Sequence, residues 1–552
     1  MIDVDPVAAG PDLTLVRPDQ AQVREPDQAR VREPGKLPRV ARFLKNGALL
    51  VGALVVVGAA MAWNLQGYPG RANDDEGTYV DRGWAMLATH HLSNYTYYWD
   101  HPFLGWATIA AWAALTDGFA RDARSVMVGR ELMWIVCLVS GVLLYVLARR
   151  IDIQRPFAAL AVVLFGASPL DICYHRMVSL DNLATVWALA ALVLAASRRR
   201  SWGAAIGSGT CFAVAFWNKE TILLLFPAIV WLLYQRTDPS TRFANISSFG
   251  VVAFSGIAFY PLLAILKGEL LPGPGHDSLW HEQVVYQLTR PGSGSVLNKH
   301  SGTFLQFHSW VTLDPWLVLA GGAAVCTGLV VRRLRPFALG LLLQFAVLVK
   351  GGYVPYAFVT AMLPFAALLI AGAADAYWRP AGEISADHRR GLSRVIALGL
   401  RNVGKVPVTV AALVLVVMCV PHWYGWLKQQ SMYNGFAEED AAVSWVADHV
   451  PRNDLVVCDA YPWLDIKLHT QATPLYLWQI DSDPQVMRTE LPQGYRDISY
   501  LLLEPGSPLT FAALPGRPTL QQAISNSTVV QRFGSIVIYK VRNPIHVQRG
   551  SG

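Results

Sequence analysis

Asn46-Gly-Ala-Leu-Leu-Val-Gly-Ala-Leu-Val-Val-Val-Gly-Ala-Ala-Met-Ala-Trp63 contains no charged residue, and ten positions further on the chain reads Asn73-Asp-Asp-Glu-Gly-Thr-Tyr79. As a helix, an uncharged run of that kind approaches the about 20 residues needed to cross a ~30 Å hydrocarbon layer. Three consecutive acids just beyond it are costly at a membrane boundary unless they are solvated or used. A membrane helix followed by an acidic turn sets the class of the molecule.

Of 552 residues, 53% are hydrophobic and only 15% are charged, with a mean hydropathy of +0.32. A soluble globular protein carries roughly 25% charged residues. The deficit lies in about eleven runs of membrane-crossing character, at 46–63, 131–149, 156–174, 179–197, 202–218, 221–235, 246–266, 315–332, 336–350, 353–373 and 406–425. The net charge of +7 does not indicate nucleic acid, because the basic residues sit in short clusters between these runs. Arg39, Arg42 and Lys45 precede the first run. Arg149, Arg150 and Arg155 follow the second, Arg198 to Arg200 the fourth, and Arg236 and Arg242 the sixth. Arg332, Arg333 and Arg335 follow the eighth, and Arg379, Arg389, Arg390, Arg394, Arg401 and Lys405 the tenth. If the spans alternate, every cluster falls on one side. The positive-inside rule then puts the N-terminus in the cytoplasm and the C-terminus outside a cell membrane.

The expected fold class is a polytopic α-helical membrane protein with a small extracytoplasmic α/β domain. Residues 1–45 are rich in Pro, Asp, Gln and Arg, with Val-Arg-Glu-Pro at 23–26 and again at 31–34. They bury too little apolar surface to fold and read as a disordered cytoplasmic tail. Residues 46–427 form the transmembrane domain, with long outer loops at 64–130 and 267–314. The Trp-rich piece 102–116 in the first loop reads as an interfacial or re-entrant helix, and 278–289 in the second as a helix over a cavity. From 428 to 552, a helical pattern at 437–449 precedes β-type runs at 455–458, 500–503 and 536–539. The six cysteines include no CxxC pair, so neither a disulfide framework nor a zinc cluster is expected. His276, Asp277, His281 and Glu282 form no compact ligand set by spacing, since His276 and His281 do not share a helix face. No metal site and no cofactor are expected, and a divalent cation is left open.

Most of the chemistry-bearing residues fall at outer helix ends. A carboxylate near low-dielectric material holds its proton more tightly, which suits a general base; the alternative for the acids at 74–76 is a solvated loop start. Arg176 and Asp181 lie between the third and fourth runs, where Asp181 is equally a helix N-cap. Lys219 follows the fifth run and can instead snorkel or pair with Glu220. Lys350 ends the ninth. Cations so placed can neutralise a lipid phosphate while an acid activates a hydroxyl.

These residues resemble a family. Asp75-Glu76 after the first span, followed by Tyr79, looks like the start of the first outer loop of GT-C glycosyltransferases. The resemblance is to the branch with protein O-mannosyltransferases and lipid A aminoarabinose transferases. His101-Pro-Phe-Leu104 is similar to its His/Lys-Pro-Pro-Leu motif, with Phe103 in place of the second proline. Arg176 to Asp181 resembles its Arg-x-x-x-x-Asp element, and Lys219 takes the place of a lysine after the fifth span. Lys350-Gly-Gly-Tyr353-Val-Pro355 looks like its basic-Tyr-Pro element, with Gly352 where a basic residue is common. The likeness covers roughly 46–375. It implies inverting transfer of a sugar from a polyprenyl-phosphate donor to a protein, lipid or glycan hydroxyl at the outer face of the plasma membrane. On that model Asp75 is the general base and Glu76 or Asp181 orients the base or the acceptor. Arg176, Lys219 and Lys350 hold the donor phosphate, and Asp74, Tyr79, His101 and Tyr353 line the acceptor side. A transporter or flippase of a lipid-linked sugar would use the same cations, but calls for internal repeats that the sequence does not display. A scaffold or receptor would tolerate loss of these residues.

Overall fold

The structure, a computed structural model, describes residues 39–197, 201–273, 276–378, 405–505, 516–542 and 544. Most of the tail read as disordered and most of the long basic loop after the tenth run lie outside these residues. The longer helices of the first half are α1 (Arg39–Ala62), α2 (Asp75–Ala88), α3 (Leu104–Thr116), α4 (Val126–Arg150), α5 (Arg155–Gly166), α6 (Pro169–Arg176), α7 (Leu180–Ala195), α8 (Trp202–Asn218), α9 (Phe226–Arg236) and α10 (Arg242–Lys267). The second half continues with α11 (Gly302–Leu313), α12 (Pro315–Val330), α13 (Arg335–Lys350), α14 (Leu363–Trp378) and α15 (Lys405–Gln430).

Among the described residues, three helices are long and apolar enough to cross a membrane: α4, α10, and the stretch Tyr356–Trp378 that contains α14. The number becomes five if each of two bent pairs is one span. The pairs are α5 with α6, bent by 59°, and α11 with α12, bent by 107°. Both breaks have a local cause. Ser168 caps α6 through the Asp171 amide with Pro169 at the first helical position, and Asp314 caps α12 through the Leu317 amide with Pro315 there. A capping side chain followed by proline starts a new helix where the apolar run alone suggests continuation. The run 156–174, read as one span, is therefore two helices. The piece 102–116 is helical and packs on α2.

α7 packs on α4 and α8, and α8 on α10. Gly209 of α8 meets the α10 backbone closely, since a Cβ there would lie 2.6 Å from the Phe249 carbonyl oxygen. Small residues permit such approach where helices pack in a membrane.

The carboxyl-terminal part contains α16 (Ala437–His449), β1 (Leu455–Cys458), α17 (Ala460–His469), β2 (Thr473–Tyr476), β3 (Tyr500–Leu503), α18 (Pro518–Ser525), β4 (Ser527–Phe533) and β5 (Ile536–Val541). The strands form one sheet in the order β2-β1-β3-β5-β4. β1 is parallel to both β2 and β3, with Val457 opposite Leu475 and Leu501, while β5 runs antiparallel to β3 and β4. β1 and β3 are buried at every residue, which explains their unbroken apolar sequences. The two strands absent from the sequence reading, β2 and β4, are the sheet edges. Pro474 is tolerated in β2 because an edge strand needs no ladder donor on its open side. This α/β part is not set apart from the helices: from Leu49 onward the described residues form one compact unit, and α17 packs directly on α2.

Candidate functional site

The acidic triplet opens α2, and its three carboxylates meet three different environments. Asp75 is exposed, and its nearest polar partner is the amide of Asn73 at 3.4 Å. It stands in the first turn of α2. Asp74 is buried, accepts the Ala460 amide at 3.2 Å and accepts the Tyr476 hydroxyl. Burial pushes its carboxyl up to about 6, offset in part by the Tyr476 bond and raised further by the Asp75 charge. The low-dielectric surroundings expected for Asp75 thus belong to Asp74.

Glu76 is fully buried in an ion pair with Arg130 of α4, at 2.8 and 2.9 Å. It also accepts the Tyr461 hydroxyl at 2.9 Å and the Val178 amide at 3.0 Å. A carboxylate with all its acceptor directions filled is an anchor, so the orienting contact to an acceptor or a base expected of Glu76 is replaced by a structural one.

A second group forms where α3, α7 and α8 approach the same turn. The His101 ring joins Lys219 and Glu220: Nε2 lies 2.7 Å from the Lys219 Nζ, and Nδ1 lies 3.1 Å from the Glu220 Oε2. An ammonium only donates and a carboxylate only accepts, so both contacts are satisfied when the Nδ1 proton faces Glu220 and Nε2 accepts from Lys219. Lys219, only 4% exposed, has no other hydrogen-bond partner among the described residues, which leaves two of its three protons unclaimed there. Asp181, Asp100 and Asp75 all lie within the electrostatic reach of Lys219. Asp181 also bonds the Ser179 hydroxyl at 3.2 Å, with Ser179 as the cap of α7; the N-cap reading of Asp181 therefore passes to its neighbour. Tyr79 stacks on Trp106 at 6.5 Å, meets His101 edge-on at 6.3 Å, and feels the charges of Asp75, Asp181 and Asp100. Five of the expected residues, Asp75, Tyr79, His101, Asp181 and Lys219, are thus brought together. Arg82, paired with Asp100 at 3.0 Å and lying over Trp106, joins them without a sequence signal.

Three expected residues stand elsewhere. Arg176 is fully buried and donates to the Ala60, Met61 and Trp63 carbonyls at the end of α1. These bonds make it a C-terminal cap of α1, and its Nη1 is buried with no hydrogen-bond partner among the described residues. Lys350 is exposed at the end of α13, before Gly351 in the left-handed region at φ 88°, and makes no ion pair with a described residue. Tyr353 is 42% exposed and lies under the Arg290 guanidinium at 3.3 Å.

Residues 281–286 form a π-helical turn inside the helix expected at 278–289. Gln283 of this turn donates to the Trp99 and Asp100 carbonyls, each at 2.7 Å. Asp277, His281 and Glu282 bring one possible metal ligand each to within 4.8 Å of one another, a convergence that the spacing alone did not indicate.

The α/β part touches the turn directly. The Tyr461 hydroxyl lies 2.8 Å from the Asn73 carbonyl and accepts the Asn73 amide at 3.2 Å. Arg71 meets Glu504 at 3.4 Å and Glu439 at 3.7 Å. Asp459, at the end of β1, is buried; burial and the Asp74 charge push its carboxyl up to about 8, against the pull of Arg71.

The chain is similar in sequence and in fold to known proteins. Residues 100–265 fit the family model described as dolichyl-phosphate-mannose-protein mannosyltransferase. A curated relative, the undecaprenyl phosphate-alpha-4-amino-4-deoxy-L-arabinose arabinosyl transferase 2 of Proteus mirabilis (strain HI4320), is 29% identical over 251 residues. That match covers 41% of this chain and 41% of the relative, so the similarity spans about two fifths of the relative's length. The crystal structure of ArnT from Cupriavidus metallidurans bound to undecaprenyl phosphate superposes with a TM-score of 0.55 at 16% identity, covering 93% of this chain and 100% of that one. Archaeal oligosaccharyltransferase AglB from Archaeoglobus fulgidus, in complex with an inhibitory peptide and a dolichol-phosphate, superposes at 0.54 with 11% identity, covering 92% and 75%. The fold is that of the GT-C membrane glycosyltransferases. In sequence the chain resembles protein mannosyltransferases over residues 100–265 and an aminoarabinose transferase over two fifths of its length.

Proposed function

We propose that the chain is a glycosyltransferase of the plasma membrane that moves a pentose or hexose from a polyprenyl-phosphate donor to a hydroxyl of an extracytoplasmic protein, lipid or glycan, with inversion. The observation that carries this reading is the convergence of exposed Asp75 and of Asp181 within electrostatic reach of Tyr79 and of the Lys219 ammonium, whose one hydrogen-bond partner among the described residues is His101. The positive-inside pattern of the basic clusters supports the extracytoplasmic assignment, and the lipid phosphates named for ArnT and AglB support the donor class.

The acceptor oxygen attacks the anomeric carbon as its proton passes to the Asp75 carboxylate. The bond from that carbon to the phosphate oxygen breaks, and its electron pair stays on the departing lipid phosphate. Lys219 meets that charge with the protons His101 does not use, and Glu220 keeps the imidazole in the tautomer that accepts from Lys219. Tyr79 forms an aromatic wall for the acceptor side.

The test is transfer by the purified full chain in liposomes, with donor supplied as a lipid extract of a strain deleted for it, where unspent donor accumulates. Asp75→Asn is expected to lower transfer by about a hundred-fold or more, the usual contribution of a general base, while undecaprenyl phosphate binding is retained. Turnover near that of the parent would remove Asp75 from this role. Lipid movement without covalent transfer would favour a flippase.

A further inference from the structure

In an α/β sheet, ligands bind outside the carboxyl ends of parallel strands, at the point where successive connections leave in opposite directions. In the order β2-β1-β3 that point lies between β1 and β3. Here it is occupied by the chain's own residues 71–77. Arg71 reaches Glu504 just past β3, and Asn73, Asp74 and Glu76 meet Ala460 and Tyr461 just past β1. Tyr476 at the end of β2 holds the second oxygen of Asp74. The fit leaves no slack, because a Cβ on Gly77 would come within 2.7 Å of the Ala460 carbonyl carbon. Asp74 also sits at the amino end of α17, whose first free amide it accepts.

We infer that the α/β part is a positioning element of the transfer site: Tyr461 and Tyr476 lock the turn Asn73–Glu76 so that the Asp75 carboxylate is presented at the head of α2. This rests on the reading of Asp75 as the base. Tyr461 is the pivot, as one hydroxyl contacts both backbone polar groups of Asn73 and the Glu76 carboxylate on either side of Asp75. Both tyrosines are positioning residues, since they reach the reaction through the turn.

Tyr461→Phe and Tyr476→Phe keep the rings and remove only the hydroxyls. In the liposome assay, with extract concentration varied, each is expected to lower kcat by about ten-fold, the scale set by a sub-ångström misplacement of a reacting group. The apparent donor KM and undecaprenyl phosphate binding should stay within two-fold. Wild-type kcat in both variants, or a loss that tracks the amount of folded protein with activity per folded molecule unchanged, would overturn the inference. Asp75→Asn run alongside separates the two readings. If it is inactive while the Phe variants are normal, only the positioning role falls. If it is active, the base assignment falls and the positioning role with it.

Discussion

Three adjacent carboxylates with one chemistry have three fates, and the neighbours of each decide which. Asp75 has solvent, Asp74 has a helix end and a phenol, and Glu76 has a guanidinium. Since Glu76 and Arg130 are both fully buried, removing one charge strands the other, a loss of about 3–5 kcal/mol. Glu76→Gln is therefore expected to lower the unfolding midpoint in detergent sharply; a midpoint equal to the parent's would contradict the buried pair. At this scale the sequence told much about the cluster around Lys219, because motif order brought Asp75, Tyr79, His101, Asp181 and Lys219 forward. It told nothing of Arg130, Tyr461 or Tyr476. Arg130 is the last residue before the apolar run 131–149, and Tyr461 is separated from Glu76 by 385 residues, so no local pattern links them. The capping contacts of Arg176 were hidden for a related reason: the carbonyls it meets lie more than a hundred residues earlier in the chain.

Elements were legible where periodicity and apolar length agreed, and illegible where capping chemistry cut an apolar run. The Ser168-Pro169 start of α6 is such a cut, and it was written in the sequence as a cap followed by proline. The central strands β1 and β3 stood out as unbroken apolar runs, whereas the edges β2 and β4 carry a proline or exposed polar residues. The contact of α2 with α17 offers a test of packing between elements. Gly77→Ala forces a methyl onto the Ala460 backbone and should cost about 1–3 kcal/mol by overpacking. Gly203→Ala in α8, where a methyl meets nothing within 4 Å, should leave the unfolding midpoint unchanged or raised. Equal effects of the two changes would count against the close contact.

Across the whole molecule, the seam between helices and sheet is rich in buried acids, and this fixes how stability responds to pH. Asp459 and Asp74 both bind their protons more tightly in the folded chain than a free carboxyl of about 3.9 does. A raised folded value favours the folded state fully below about pH 4, and that contribution is lost as pH climbs through about 6 for Asp74 and about 8 for Asp459. The unfolding midpoint should therefore fall between pH 5 and 8. Asp459→Asn, which cannot titrate, should flatten the upper part of that fall while Asp74 keeps the lower part. An unaltered slope in the variant would show that Asp459 is not the group responsible.

The lock on the acidic turn also has a consequence in time. Asn73 leaves the ribosome 388 residues before Tyr461, an interval of roughly 20–80 s at about 5–20 residues per second. Throughout it, α2 can form and Glu76 can find Arg130, but the pivot that frames Asp75 does not yet exist. Synthesis order therefore leaves the acidic turn of a nascent chain unset until the sheet has closed.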